Sequence, residues 1–358
     1  MKLLLPLFLI LFAQQPADPD LDRALVELKA GNTVKAIAAI GDSIKKNPDH
    51  ADAYVLRGSI RMSANDTAGA LADFNKAIQL KPTKGEAYNE RAIIRLMAQD
   101  ISGANKDLDA AITNGFINDG IYLLRAQLRQ QQGDLKGAIA DLDEAIKLNP
   151  NNPQTYGYRA GLLSDSKEMD RALIDLNYLL TWYETEPNTR RDNKPINPVK
   201  TANEGEVKNN TPFTIGIDAK TVNGTPADKE MLPIIAASYV RRGLIHSARD
   251  NSDAAIADFT KSIRVEPKNP WAYYDRANEL EGKGDLEAAL ADVNRAIQLE
   301  PLNGNLRVEH GVILTLMGNT KEAQVDFDML LRTDTNVWQK RIDERLEAVK
   351  KKLPTPEE

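Results

Sequence analysis

The 358-residue chain contains no cysteine, which removes disulfides, thiolate metal sites and cysteine nucleophiles together. Histidine is nearly as scarce. His50, His246 and His310 lack the i, i+3 or i+4 company that a metal site needs, so no metal is expected. Aromatics make up only 6%, which suits helices packed through small residues better than an aromatic-rich β-sandwich. There is no basic surplus, with 46 Lys and Arg against 52 Asp and Glu, and so no nucleic-acid partner is expected. Phosphate loops, nucleophile elbows and glycine-rich dinucleotide turns are also missing; neither catalysis nor a cofactor is expected. The one concentrated apolar run, Leu3 to Phe12 behind Met1-Lys2, is shorter than the roughly 20 residues of a membrane-spanning helix. It has the form of a signal peptide over residues 1–13, with cleavage expected after Ala13. The chain is therefore expected to be exported, periplasmic or secreted and bacterial, with no transmembrane segment after the leader is removed.

What is present is a repeat. Shifted by 34 residues the chain superposes on itself, giving eight units that start at Ala17, Ala51, Gly85, Asp119, Pro153, Ala236, Pro270 and Gly304. Position 20 of every unit is alanine, from Ala36 to Ala323, and position 8 is always glycine or alanine, from Ala24 to Gly311. Two small residues recurring at these places let two antiparallel helices cross closely. Position 24 is always large and apolar, as in Phe74, Leu108, Leu142 and Phe259, and fills the space beside that crossing. Position 4 is tyrosine in the six internal units, and Pro48, Pro82, Pro150, Pro267 and Pro301 close five units by stopping the second helix. Gly-Asp and Gly-Asn pairs such as Gly133-Asp134 mark the turn inside a unit.

This pattern, with Ala also at position 27, resembles the tetratricopeptide-repeat (TPR) signature, most closely in Ala70–Pro82 and Ala289–Pro301. The resemblance implies an all-α fold: a TPR alpha-solenoid, a right-handed superhelix of about eight helix–turn–helix repeats. Repeats one to five would occupy 17–186 and repeats six to eight 236–337, with an irregular insertion at 187–235 and a C-terminal capping helix at 338–353. It also implies a scaffold or adaptor that binds a protein or extended peptide in a concave groove. The family's ligand-facing positions 2, 5, 9 and 12 fall here on Asn89, Ile93, Leu123, Gln127, Tyr274 and Asn278, with Trp271 at the edge. Amide, apolar and aromatic groups of this kind suit an extended segment. The alternative is a module that binds glycan or cell-wall polymer, for which Trp271 and Tyr274 are the one aromatic cluster. The family's Lys and Asn clamp for terminal carboxylates has no counterpart at position 5, which holds Val55, Asn89, Leu123, Gly157, Val240, Tyr274 and Val308.

One departure from the family runs the length of the array. Position 7, usually leucine, is Arg23, Arg57, Arg91, Arg125, Arg159, Arg242 and Arg276, and position 23 is Asp73, Asp107, Asp141, Asp175, Asp258, Asp292 and Asp326. The two series are expected to form a structural ladder of partly buried ion pairs, within a unit or between neighbouring units, with Arg23 left unmatched because position 23 of its unit is Ala39. The stretch from Pro187 to Ile235, with six prolines and seven asparagines, reads as a long loop. Within it Phe213 to Ile217 alternates like a short strand and Asn223-Gly224 is a turn signal. Pro233 is expected in the first turn of the helix that restarts the array. Past Asn336, Trp338, Ile342, Leu346 and Val349 recur at helical spacing, as a helix covering the last unit would require.

Overall fold

A computed structural model describes residues 18–184 and 226–350. The leader at 1–13, the strand-like Phe213 to Ile217 and the Asn223-Gly224 turn lie outside the described residues. Among the described residues there are seventeen helices and no strand. They are α1 (Pro19–Lys29), α2 (Thr33–Lys46), α3 (Ala51–Ser63), α4 (Thr67–Leu80), α5 (Gly85–Met97), α6 (Ile101–Thr113), α7 (Asp119–Gln131), α8 (Leu135–Leu148), α9 (Pro153–Asp165), α10 (Met169–Glu184), α11 (Pro226–Ser247), α12 (Ser252–Val265), α13 (Pro270–Gly282), α14 (Leu286–Leu299), α15 (Gly304–Leu316), α16 (Thr320–Leu331) and α17 (Thr335–Lys350). Consecutive helices pair as hairpins from α1–α2 to α15–α16, and α17 packs on α15 and α16. The chain divides between Asn149 and Pro150 into two compact bodies, the first holding α1 to α8 and the second α9 to α17.

Each hairpin turns through a residue in the left-handed region at position 15. Gly31, Gly133, Gly284 and Gly318 do so in four units, and Asn65, Gln99, Lys167 and Asp250 do so in the other four with φ between 57° and 63°. The next residue caps the second helix: Asp66, Asp100 and Asp134 accept from the backbone N–H of Gly69, Gly103 and Gly137 at 2.9 Å. Such a cap satisfies one orphan donor of the first turn. Asn251 and Asp285 make the same bond to Ala254 and Ala288 at 3.3 Å. A methyl at the glycines would collide with the capping carboxylate, so glycine permits the closer approach.

The helix crossing shows a second fit between neighbours. A methyl on Gly58, Gly243 or Gly311 would sit 2.6, 2.6 or 2.5 Å from the ring of Phe74, Phe259 or Phe327. Those are the units with phenylalanine at position 24; where position 24 is Ile40, Leu108, Leu142, Leu176 or Val293, position 8 is alanine. The ring takes the room that the alanine methyl has elsewhere. These plugs and the position-20 alanines are buried, and each large side chain removed from water contributes about 2 kcal/mol.

In the second body the array continues directly from unit five to unit six. Leu179 and Leu180 of α10 share a core with Ile235 and Tyr239 of α11. Glu184, which replaces the closing proline of unit five, ends α10 and accepts from the Tyr239 hydroxyl at 2.7 Å and from Lys261 Nζ at 2.7 Å. Burial acts to raise its carboxyl pKa, but the two hydrogen bonds outweigh burial and hold it below the ordinary value. Three expectations need correction here. The restarting helix begins at Pro226, so residues 226–235 are helical and not part of an irregular insertion. Pro233 lies inside α11, beyond its first turn, where its missing N–H leaves a carbonyl one turn back without its helical donor. The final helix starts at Thr335, with Asp334 Oδ1 accepting from the Val337 N–H at 3.1 Å, three residues ahead of the expected 338.

Candidate functional site

The ladder residues come together within units. Arg57, Arg91, Arg125, Arg159, Arg242 and Arg276 donate through Nε and Nη2 to both oxygens of Asp73, Asp107, Asp141, Asp175, Asp258 and Asp292, at 2.5–2.9 Å. Two parallel bonds to a planar carboxylate use the guanidinium fork fully. The aspartates are buried, and Arg57, Arg91, Arg125, Arg242 and Arg276 are raised further above their usual pKa; for Arg57 and Arg91 the hydrogen bond to the carboxylate is the main cause. In unit eight His310 Nδ1 lies 2.6 Å from Asp326. Arg23, expected to be unmatched, bonds to Asp42 at 2.8 Å, because the half-exposed side chain reaches an aspartate three positions along α2 from Ala39.

The third nitrogen of four of these forks joins neighbouring units. Nη1 of Arg91, Arg125, Arg242 and Arg276 donates to Asn75, Asp109, Asn177 and Thr260, all at position 25 of the preceding unit, at 2.7–2.9 Å. The Arg242–Asn177 bond spans the insertion. Guanidinium carbons also stand 5.4–5.8 Å from the ring centres of Tyr54, Tyr88, Tyr122, Tyr156 and Tyr239, which accounts for tyrosine at position 4.

Sequence reasoning missed a second series. Arg61, Arg95 and Arg129, four residues after the ladder arginines, place Nη1 2.8–2.9 Å from Asp73, Asp107 and Asp141 and also donate to the carbonyls of Gly69, Gly103 and Gly137. The i, i+4 spacing of two arginines in three successive units was the available signal.

The expected ligand-facing residues lie in two groups. Asn89, Ile93, Leu123 and Gln127, on α5 and α7 of the first body, are all partly buried. Beside Asn89, Glu90 is held above its ordinary pKa by burial. In the second body, on α13, Trp271 is 46% exposed and meets Tyr274 edge-on, with ring centres 6.0 Å apart. Burial raises the Tyr274 hydroxyl pKa, and Asn278, one turn on, hydrogen-bonds to it. Asp275 is pushed up to about 6, by burial first and then by Glu279. None of the seven takes part in a ladder rung. Among the described residues no group of three or more His, Asp and Glu could hold a metal ion, and no helix is long and apolar enough to cross a membrane.

Tetratricopeptide-repeat family models match residues 21–85, 120–152, 236–269 and 259–291. No curated protein matches the chain. Among solved structures, the C-terminal part of a TPR repeat-containing protein from Cytophaga hutchinsonii is 14% identical, with 78% of this chain and 94% of that chain covered and a TM-score of 0.51. A tetratricopeptide repeat protein from Parabacteroides merdae is 14% identical over 82% of this chain and 97% of its own, with a TM-score of 0.43. MamA is 19% identical over 48% of this chain and 97% of its own, with a TM-score of 0.42. At such identities the likeness is one of fold. Among the described residues the fold is all-helical, of the α-solenoid class to which the matched tetratricopeptide-repeat models belong.

Proposed function

We propose that this chain is a non-catalytic adaptor, exported behind its leader to the periplasm or beyond, which holds a protein or extended peptide against the face formed by its first helices. The observation that carries this reading is the division of labour along those helices. Positions 7 and 23 satisfy one another, positions 8, 20 and 24 make the core, and Asn89, Ile93, Leu123, Gln127, Trp271, Tyr274 and Asn278, drawn from positions 2, 5 and 9, stay partly accessible. A lining of that composition gives backbone donors and acceptors of an extended ligand something to bond and its apolar side chains somewhere to rest. Export rests on the apolar run Leu3 to Phe12 and its positive start.

The test is cross-linking of the full chain in its native envelope from photoreactive residues placed at Gln127 and Trp271, followed by mass spectrometry. Protein cross-links that disappear in Leu123→Asp and Tyr274→Asp variants support the adaptor. Recovery of saccharide alone sinks it. Fractionation with sequencing of the amino terminus tests export separately: an intact Met1 in the cytosolic fraction would refute that part.

A further inference from the structure

One side chain of the last helix reaches beyond the hairpin on which that helix packs. Arg345 of α17 donates from Nε to Glu309 Oε2 at 2.9 Å, and from Nη2 to Glu309 Oε1 at 2.5 Å and Glu281 Oε2 at 2.6 Å. Glu309 belongs to α15 and Glu281 to α13, and they are 2% and 9% exposed. Two adjoining carboxylates so far from water need a cation between them, since each opposes ionisation of the other. Burial, and then the nearness of Glu281, act to push Glu309 above its ordinary pKa even with Arg345 in place.

The rest of α17 packs on the hairpin through Trp338, Ile342, Leu346 and Val349. Ile342 and Val349 are the residues of α17 that are buried, and a cleft of about 290 Å³ stays open between α16 and α17, lined by Thr320, Gln324, Leu331, Gln339 and Asp343 among others. On the two helices that supply the carboxylates, Oδ1 of Asn278 and Oδ1 of Asn305 are buried with no hydrogen-bond donor. Such unmet acceptors are uncommon and call for a donor. Arg345 meets the charge on these two helices, while the two amide oxygens on the same helices go without a donor.

We propose that Glu281 and Glu309 form a guanidinium seat, that α17 is its displaceable occupant, and that the protein ligand replacing α17 is a helix presenting an arginine to the two carboxylates and side-chain donors to Asn278 and Asn305. This rests on the adaptor reading and names the partner's chemistry at one end of its face. While α17 is seated, a competing helix binds only to the fraction of molecules in which α17 has lifted, so its apparent affinity is reduced by that fraction.

The probe is a fluorescent peptide with the sequence of residues 335–350, titrated into the full chain. Arg345→Ala in the full chain removes the resident's anchor and is expected to tighten probe binding by about tenfold or more over the unaltered chain. The same substitution in the probe, or Glu281→Gln with Glu309→Gln in the chain, is expected to abolish the gain. A Glu281→Gln, Glu309→Gln, Arg345→Met chain leaves no bare charge, so its melting curve separates lost binding from lost folding. Amide exchange on the unaltered chain is the second measurement: α17 should exchange well ahead of α15 and α16. Probe binding that ignores both the arginine and the carboxylates, exchange of α17 in step with α15 and α16, or a dimer formed by swapping α17 between copies would each overturn the proposal. Probe binding as expected, with no protein cross-linked in the envelope, leaves the seat standing and removes only the adaptor reading.

Discussion

Units two to four and units six to eight are written in one repeat, yet they handle charge differently. In units two to four each buried aspartate takes two arginines, from positions 7 and 11. In units six to eight position 11 is His246, Leu280 or Leu314, and the aspartate is served by position 7, with Arg307 also near Asp326 at 3.4 Å. Burial lowers the pKa of His246, which stands 3.8 Å from Asp258. The charge burden of the second body lies elsewhere, on the buried Asp275 and on Glu281 and Glu309, which share the single cation Arg345. The lesson is that charge confined within a hairpin fixes register, whereas charge on the first-helix face is left for something that arrives from outside the hairpin.

The largest effect should come from breaking a doubly held rung. Asp141→Ala takes the buried carboxylate from both Arg125 and Arg129, whose side chains are 13% and 26% exposed, whereas Asp292→Ala takes it from Arg276 alone, at 21%. Removing one side of a buried pair costs about 3–5 kcal/mol, so Asp141→Ala should fall at the top of that range and Asp292→Ala below it. Denaturant midpoints read the difference. If Asp292→Ala proves as damaging, the second arginine contributes nothing and the contrast between the two sets of units fails. A double-mutant cycle with Arg125→Met and Asp141→Leu should show strong coupling, because the double change removes the buried carboxylate together with its two-bond partner.

Next in size is a change with a pH signature. The Asp275 carboxyl is raised from 3.8 to about 6. A raised acid contributes stability in its neutral form, fully present below about 3.8 and lost as pH rises through about 6. Two units correspond to about 3 kcal/mol at most. Asp275→Asn should therefore be more stable than the unaltered chain near neutral pH by up to that amount, and the advantage should vanish on acidification below about pH 4. Glu90, raised by burial in the first body, should behave with the same sign in Glu90→Gln. Equal stability of both variants and the parent at both pH values would show the first-helix carboxylates to be solvated.

A packing test comes third. Gly58→Ala forces a methyl to within 2.6 Å of the Phe74 ring and should cost about 1–3 kcal/mol. Phe74→Leu in the same chain recreates the alanine and leucine pair found at Ala92 and Leu108, and should recover most of the loss. Additive losses would mean that the ring and the glycine are independent.

The hairpins, their small-residue crossings and the ladder were legible because each recurs eight times or nearly so, and recurrence separates a packing demand from chance. Position 11 was overlooked because its arginines fill only three units, and position 25 because asparagine, aspartate and threonine meet one need with three side chains. Arg345 was beyond the reach of periodicity: its partners lie 36 and 64 residues away, on helices of two different units. The start of α11 at Pro226 was hidden by two prolines and a polar stretch whose composition reads as loop, which packing of Ile235 and Tyr239 against α10 overrides. For the ligand-facing residues the sequence named helix positions, but burial and the orphan amide of Asn278 needed coordinates.

The smallest effect is a gain. Gln99 and Lys167 hold φ of 61° and 62° at the turn where four other units have glycine. A side chain there costs about 1–2 kcal/mol in the folded chain, while glycine loses more freedom on folding, so Gln99→Gly and Lys167→Gly should each stabilise by less than about 1 kcal/mol. Asn65 and Asp250, at 63° and 57°, tolerate this conformation better because a short polar side chain bonds locally. Asn65→Gly and Asp250→Gly should accordingly gain less or nothing. One member of each pair lies in each body, so the ranking by residue type should hold in both; a ranking by body instead would mean that the turns are not equivalent and that the two bodies strain their hairpins differently.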